Sequence, residues 1–230
     1  MLESLRSEVL QANLALAQQG LARFTFGNAS GIARDQGLVV IKPSGVPYET
    51  MTAADLVVVD LEGRTVEGSL RPSSDLATHL ILYRAFTGIG GVAHTHSRAA
   101  TAWAQARKPI PCFGTTHADY FNGPVPVTRP LSAAEIKSDY EANTGHAIVR
   151  RFAKLDPLET PAVLVAGHAP FCWGLTVTEA VHIAAVLEEI AAMALDTLRA
   201  NPRARPLEPA LHAKHFFRKH GNTAYYGQKK

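Results

Sequence analysis

Two histidines one residue apart, His94 and His96 in "GGVAHTHSRAATAWAQ", close an apolar run and are followed at once by a serine and an alanine-rich segment. On an extended strand alternate side chains share a face, so both imidazoles project together while Thr95 points the other way. A third imidazole, His168, ends the apolar run of "VLVAGHAPF" in the same manner. Three neutral nitrogen donors from strand ends suit zinc or a similar divalent ion and leave coordination positions open for a substrate. A closed structural zinc site usually takes four ligands, often thiolates, and neither Cys112 nor Cys172 lies beside these histidines. His79 and His182 fall inside helical patterns and are assigned no chemistry.

A second group of residues suits an anion. "IKPSG" brings Lys42, a proline turn, Ser44 and Gly45 to the end of a strand, and "RPSSD" places Ser73, Ser74 and Asp75 before a helix. Amides at a helix start and in a glycine turn can cradle a phosphate, with lysine adding charge and serine adding donors. Gly27 and Asn28 could add a further amide. The same residues also suit plain turns and helix caps, and Asp75, just before Leu76, could be a cap.

The elements that must position these groups alternate between helical and extended patterns. Glu3 to Ala22 reads as a helix with Leu5, Val9, Ala12 and Leu16 close to one face and Gly20 as its stop. "LVVIK" (Leu38 to Lys42) and "LVVVD" (Leu56 to Asp60) read as strands, the second with "TVEG" as a hairpin partner. Leu76 to Phe86 is helical, "GVAHTH" is a strand, and Ser97 caps the next helix. Ser132 with Glu135 and Thr176 with Glu179 form capping boxes. Between them, "AVLVAGH" (Ala162 to His168) is a buried strand. Prolines 202, 206 and 209 set off a basic last segment. The pattern predicts one α/β domain over residues 1–230, its central sheet packed by helices on its faces.

Composition narrows the function classes. With 47% hydrophobic and 19% charged residues the chain has the balance of a globular domain. The 23 basic residues exceed the 20 acidic ones by a surplus spread along the chain, without a basic run of the kind that tracks nucleic acid. Glu3, Arg6 and Glu8 interrupt the start, which does not read as a signal peptide. His182, Glu188 and Glu189 interrupt the longest apolar segment, which argues against a membrane span. Two cysteines imply no disulfide framework and fit a reducing cytoplasm.

In order along the chain, "FTFGNASG", "IKPSGVPYETMTAADLVVVD", "RPSSDLATHL", "GGVAHTHSRAATAWAQ", "GTTHADYF", "GHAPFCWG" and "KHFFRKHGNTAYYGQ" resemble the L-ribulose-5-phosphate 4-epimerases of the class II aldolase family, from about residue 5 to residue 228. The resemblance implies a three-layer α/β/α fold with a central, mainly antiparallel β-sheet. It implies zinc, or another divalent ion such as manganese or cobalt, held by His94, His96 and His168 with Asp75 as a further ligand or close carboxylate. Asn28, Lys42, Ser44, Gly45, Ser73 and Ser74 match the substrate and phosphate pocket, with Thr115 near it. Asp119 and Tyr226 match the acid/base pair, and His215 and Arg218 complete the site. It further implies a homotetramer in which residues 210–230 contribute to an intersubunit active site, Tyr226 coming from the adjacent subunit.

The implied reaction makes chemical sense of these parts. Carbon 4 of ribulose 5-phosphate bears no acidic hydrogen, so its inversion requires the C3–C4 bond to break. Retro-aldol cleavage gives a metal-bound enediolate and glycolaldehyde phosphate, and re-addition to the other face of the aldehyde gives the epimer. The oxygen at C4 points to opposite sides in the two epimers, so one proton donor or acceptor is needed on each side. A sugar-phosphate aldolase of the L-fuculose-phosphate type is the alternative, although those relatives carry glutamate where Asp75 stands. The Ser97-Arg98 pair lacks the Asp-His ligands of dinuclear hydrolases, and the complete histidine trio argues against a non-enzymatic relative of the same fold.

Overall fold

The computed structural model describes residues 2–221 and 224–226; residues 1, 222, 223 and 227–230, the last six of them in the expected C-terminal segment, lie outside the described residues. A meander of β1 (Asn28–Ala33), β2 (Leu38–Ile41), β3 (Val57–Asp60) and β4 (Thr65–Glu67) forms one half of a sheet. β5 (Gly91–His94) pairs with the free side of β1, and the hairpin of β6 (Ala162–Leu164) and β7 (Pro170–Gly174) completes it. The order is β4-β3-β2-β1-β5-β7-β6, with every neighbouring pair antiparallel.

Helices cover both faces, so the fold has three layers. Val40 and Val58 pack with α1 (Glu3–Gln18), α3 (Arg98–Ala106) and α7 (Val177–Ala200). Val39, Ile41, Val57 and Val59 pack with α2 (Leu76–Ala85) and α6 (Tyr140–Arg151) on the other side. Burial on both faces explains why β2 and β3 read as unbroken aliphatic runs rather than as alternating ones. Each such side chain contributes about 1.5–3 kcal/mol of transfer free energy. Three further helices complete the fold: α4 (Thr115–Ala118), α5 (Ala133–Ser138) and α8 (Pro209–Lys219).

Several local expectations are corrected. α1 stops at Gln18, four residues short of Ala22, because the chain turns through Gly20 at φ +70°. Ser97 occupies the N-cap position of α3, yet its hydroxyl makes no capping bond; the Glu188 carboxylate of α7 accepts from the Ala99 and Ala100 amides at 2.7 and 2.9 Å. The Ser132–Glu135 box is complete. At Thr176 only half a box forms, because Glu179 accepts from the Leu175 amide instead. The strand expected to run to His168 ends at Leu164, and His168 lies in the turn before β7, where Gly167 takes φ +77°.

The strand that carries His94 is pressed against the start of α7. A methyl group on Gly91 would lie 2.3 Å from the Val177 Cα and 2.4 Å from its amide nitrogen, both backbone atoms with little freedom to move. Overpacking usually costs about 1–3 kcal/mol, and a clash with backbone belongs at or above the top of that range. Gly91→Ala is therefore expected to lower the melting temperature by about 6–12 °C, read by circular dichroism. An unchanged melt would show that the β5–α7 contact is looser than this.

Candidate metal centre and active site

The three histidines arrive from two neighbouring stretches of the sheet. β5 ends at His94, and His96 sits two residues on, in the link to α3. β7 pairs with β5, so the turn that precedes it returns His168 to the same end of the sheet. The Nε2 atoms of His94 and His96 are 3.1 Å apart, and those of His168 and His94 are 3.3 Å apart. One ring nitrogen from each residue lies within 4.8 Å of the other two.

Burial, reinforced by repulsion from His94 and His96, pushes the His168 pKa down to about 4. His96 is exposed at the surface, but the desolvation of its inner ring edge, together with the neighbouring His94, also lowers its pKa. Desolvation raises the Asp75 carboxyl, but His94, His79 and a hydrogen bond from Asn28 outweigh it and hold the group below the ordinary value. The cluster thus combines two imidazoles whose charging is disfavoured, those of His96 and His168, with the His94 ring and an ionised carboxylate 4.0 Å from His94 Nε2. Three ring nitrogens this close, beside a carboxylate, form a donor set that fits a divalent cation.

Asp75 stands at the N-cap position of α2 but makes no capping bond with its side chain. Its Oδ2 accepts from Asn28 Nδ2 at 2.7 Å, and the same amide donates to Ser73 Oγ at 3.0 Å. Asn28 can do this because β1–β5 pairing sets it directly opposite His94. Gly27 brings the chain in at φ +79°, where a Cβ would lie 2.6 Å from the His94 carbonyl oxygen.

A cleft of about 420 Å³ opens over this cluster. The histidine trio, Asp75 and Asn28 line it, and so do Lys42, Ser44, Gly45, Ser73 and Ser74. Two loops form its lip: Ser44 N donates to Arg71 O, and Ser73 N donates to Lys42 O, each at 2.9 Å. Lys42 is 1% exposed, its ammonium bonded to the carbonyls of Pro43 and Val46 and set 4.8 Å from the centre of the Tyr48 ring. Its charge therefore lies beneath the turn, where burial lowers its pKa. Tyr48 donates to the Phe26 and Gly27 carbonyls and so ties this turn to the loop that leads into Asn28.

The remaining predicted residues gather elsewhere in the chain. Asp119 follows α4 and accepts from Arg218 Nη2 at 2.7 Å, from His215 Nδ1 at 3.0 Å and from Lys219 at 3.2 Å, all on α8. Burial pushes its carboxyl up, but bonds from Arg218, His215 and Lys219 hold the pKa below the ordinary value. Tyr226 is 60% exposed, with the cations of Arg218 and Lys219 each 4.7 Å from its ring centre. Thr115 opens α4, where its carbonyl accepts from the Asp119 amide at 2.9 Å, and it does not line the histidine cleft of its own chain. Nor do Asp119, His215, Arg218 or Tyr226 line the histidine cleft of their own chain. Tyr140 and Glu141, which sequence reasoning missed, do line it. The clue available for them was Asp139, whose side chain caps α6 by accepting from the Ala142 amide.

Residues 7–195 match the class II aldolase and adducin N-terminal domain. The chain belongs to the class II aldolase family. Among its relatives, the L-ribulose-5-phosphate 4-epimerase UlaF of Salmonella paratyphi C (strain RKS4594) is 54% identical over 228 residues, covering 99% of this chain and 100% of the relative. The Salmonella typhi protein of the same name matches to the same extent. Among solved class II aldolase structures, an L-fuculose 1-phosphate aldolase superposes with a TM-score of 0.80 at 25% identity, over 94% of this chain and 95% of that one. The L-fuculose-1-phosphate aldolase of Thermus thermophilus gives 0.70 at 27%, over 88% and 99%. Among the described residues no helix is long and apolar enough to cross a membrane.

Proposed function

We propose that the protein interconverts L-ribulose 5-phosphate and D-xylulose 5-phosphate by breaking and remaking the C3–C4 bond of the sugar. The observation that carries this reading is the convergence of three imidazoles at one end of a cleft whose lips are the Lys42–Gly45 and Ser73–Asp75 loops, in a chain 54% identical from end to end with epimerases of that name.

His94, His96 and His168 would hold the divalent ion, zinc or in its place manganese or cobalt, with Asp75 alongside. When bound, such an ion supplies Lewis-acid stabilisation of the negative charge that builds as the bond breaks. The two serine-bearing loops bind the phosphate, and Lys42 braces one of them from below. Their grip keeps the two-carbon aldehyde in place while it rotates to present its other face. Asn28 orients Asp75 by donating to it. Asp119 and Tyr226 hold and return the proton of the oxygen at C4, one on each side.

Tyr226 serves the cleft of a neighbouring chain in a homotetramer. An open groove of about 1290 Å³ leads away from His96 past Phe24, Tyr120 and Met193, and Phe24 and Phe26 stand 77% and 53% exposed beside it. Aromatic surface of this kind, next to an incomplete site, suits a subunit contact. The chain forms one domain whose last segment supplies that contact, and its buried free cysteines fit a cytoplasmic enzyme.

The test is to load the protein with zinc, manganese or cobalt, supply L-ribulose 5-phosphate and follow the products by carbon NMR. D-Xylulose 5-phosphate is the expected product. Accumulation of free glycolaldehyde phosphate would instead favour the L-fuculose-phosphate type of aldolase, the reading suggested by the structural neighbours. No turnover of L-ribulose 5-phosphate with any of the ions would reject the epimerase reading, and the same assay on L-fuculose 1-phosphate would then decide on the aldolase.

A further inference from the structure

A histidine that offers Nε2 to a cation must carry its one remaining proton on Nδ1, and whatever accepts that proton fixes both the tautomer and the angle of the ring. His94 meets this need with backbone, its Nδ1 lying 2.9 Å from the Pro170 carbonyl oxygen. Phe171, stacked on the same imidazole with centroids 4.2 Å apart, steadies it further. His168 stands in a turn and has no such support from its own strand. Its Nδ1 lies 2.6 Å from the hydroxyl oxygen of Tyr140, and the two rings are parallel to within 4° at a centroid separation of 5.9 Å.

Tyr140 is itself held by a rigid mount. It is the first residue of α6, immediately after the Asp139 cap. The next residue, Glu141, accepts at its carbonyl from Thr78 Oγ1 at 2.6 Å, which pins the helix start to α2. One turn on, Gly145 lies so close to α2 that a Cβ there would be 2.9 Å from Ile81 Cβ. The tyrosine hydroxyl is therefore a fixed hydrogen-bond partner rather than a surface group that happens to fall near the ring.

Resting on the metal-holding role proposed above for the three histidines, we propose that Tyr140 is a positioning residue for the metal centre: it accepts the Nδ1 proton of His168 and thereby holds that imidazole with Nε2 directed at the ion. The role is distinct from substrate contact, although Tyr140 also lines the cleft. A partner that orients a ligand in this way typically accounts for about ten- to a hundredfold in metal affinity.

The test uses the full chain and Co²⁺ as the probe, with no substrate present. Cobalt affinity is measured by competition with a chelator, and the visible d–d absorption reports the ligand field. In Tyr140→Phe the dissociation constant should rise about ten- to a hundredfold and the bands should change, while the metal-free protein melts as the wild type does. Unaltered affinity and bands in Tyr140→Phe, whatever happens to KM, would overturn the role. Weaker affinity that merely tracks a lower melting temperature of the metal-free variant would overturn it as well. Failure of the wild type to take up cobalt would refute the metal reading itself, an outcome distinct from either of these.

Discussion

Replacing His96 by Asn is expected to remove the bound metal and abolish turnover together while leaving the fold in place. The side chain is suited to such a test because it is exposed and lies between β5 and α3, outside both apolar cores. Substitutions at such positions usually change stability by no more than about 0.5 kcal/mol. Losing one imidazole of three is a different matter. A full structural zinc site is worth roughly 10–16 kcal/mol, so a single ligand accounts for about 3 kcal/mol or more, over a hundredfold in affinity. His94→Asn would be harder to interpret, since that ring is buried, stacked on Phe171 and bonded to Pro170. Elemental analysis gives the metal content of His96→Asn, and circular dichroism confirms that the chain is folded. Full activity in a metal-free variant would end the assignment.

The second large effect is expected at Asp119 and Tyr226, which sit together and apart from the histidine cleft of their own chain. Asp119→Asn and Tyr226→Phe should each slow interconversion by about 10²–10⁴-fold, the usual share of a positioned proton donor or acceptor. Metal content should stay unchanged in both. Tyr226→Phe removes only a hydroxyl from an exposed ring, so its melt should match the wild type. Asp119→Asn also weakens the contacts from Arg218, His215 and Lys219 that hold α8, and some loss of stability is expected with it. The separation of the two groups allows a sharper measurement. Inactive His96→Asn chains still carry Tyr226, and inactive Tyr226→Phe chains still carry the histidine trio. If sites are shared between subunits, denaturing the two variants together and refolding the mixture restores part of the activity. A mixture as inactive as its components would argue that each chain completes its own site.

How much of this was legible in the sequence depended on whether the relevant partners were close along the chain. His94 and His96 could be paired from strand alternation alone, and the anion loops from their Pro, Ser and Gly content. β2 and β3 were readable because a sheet covered on both faces leaves continuous aliphatic runs. Other features depended on contacts between residues far apart in sequence, which no local pattern records. Ser97 looked like the cap of α3, but Glu188 fills that role from another helix. Asp75 looked like either a cap or a ligand, and what separates the two is that its side chain makes no capping bond but accepts from Asn28 beside His94. Tyr140 carried no signal beyond the Asp139 cap just before it, because its importance arises where α6 meets the turn before β7. The resemblance named Asp119, Arg218 and Tyr226, yet their gathering into a second cluster required α8 to fold back on α4.

The strand order bears on how this molecule can change over time. Asn28, His94 and the turn that bears His168 all spring from β1, β5 and the edge of β7, the middle of a seven-stranded sheet. At one flank lies β4, three residues long and exposed throughout, joined to β3 through an irregular register. Insertions or lost residues around that ribbon would leave the alignment of the inner strands intact. Mutational latitude should therefore be concentrated at this margin, far from the reacting atoms, and shrink toward the centre, where a slip of one position would turn Asn28 away from His94.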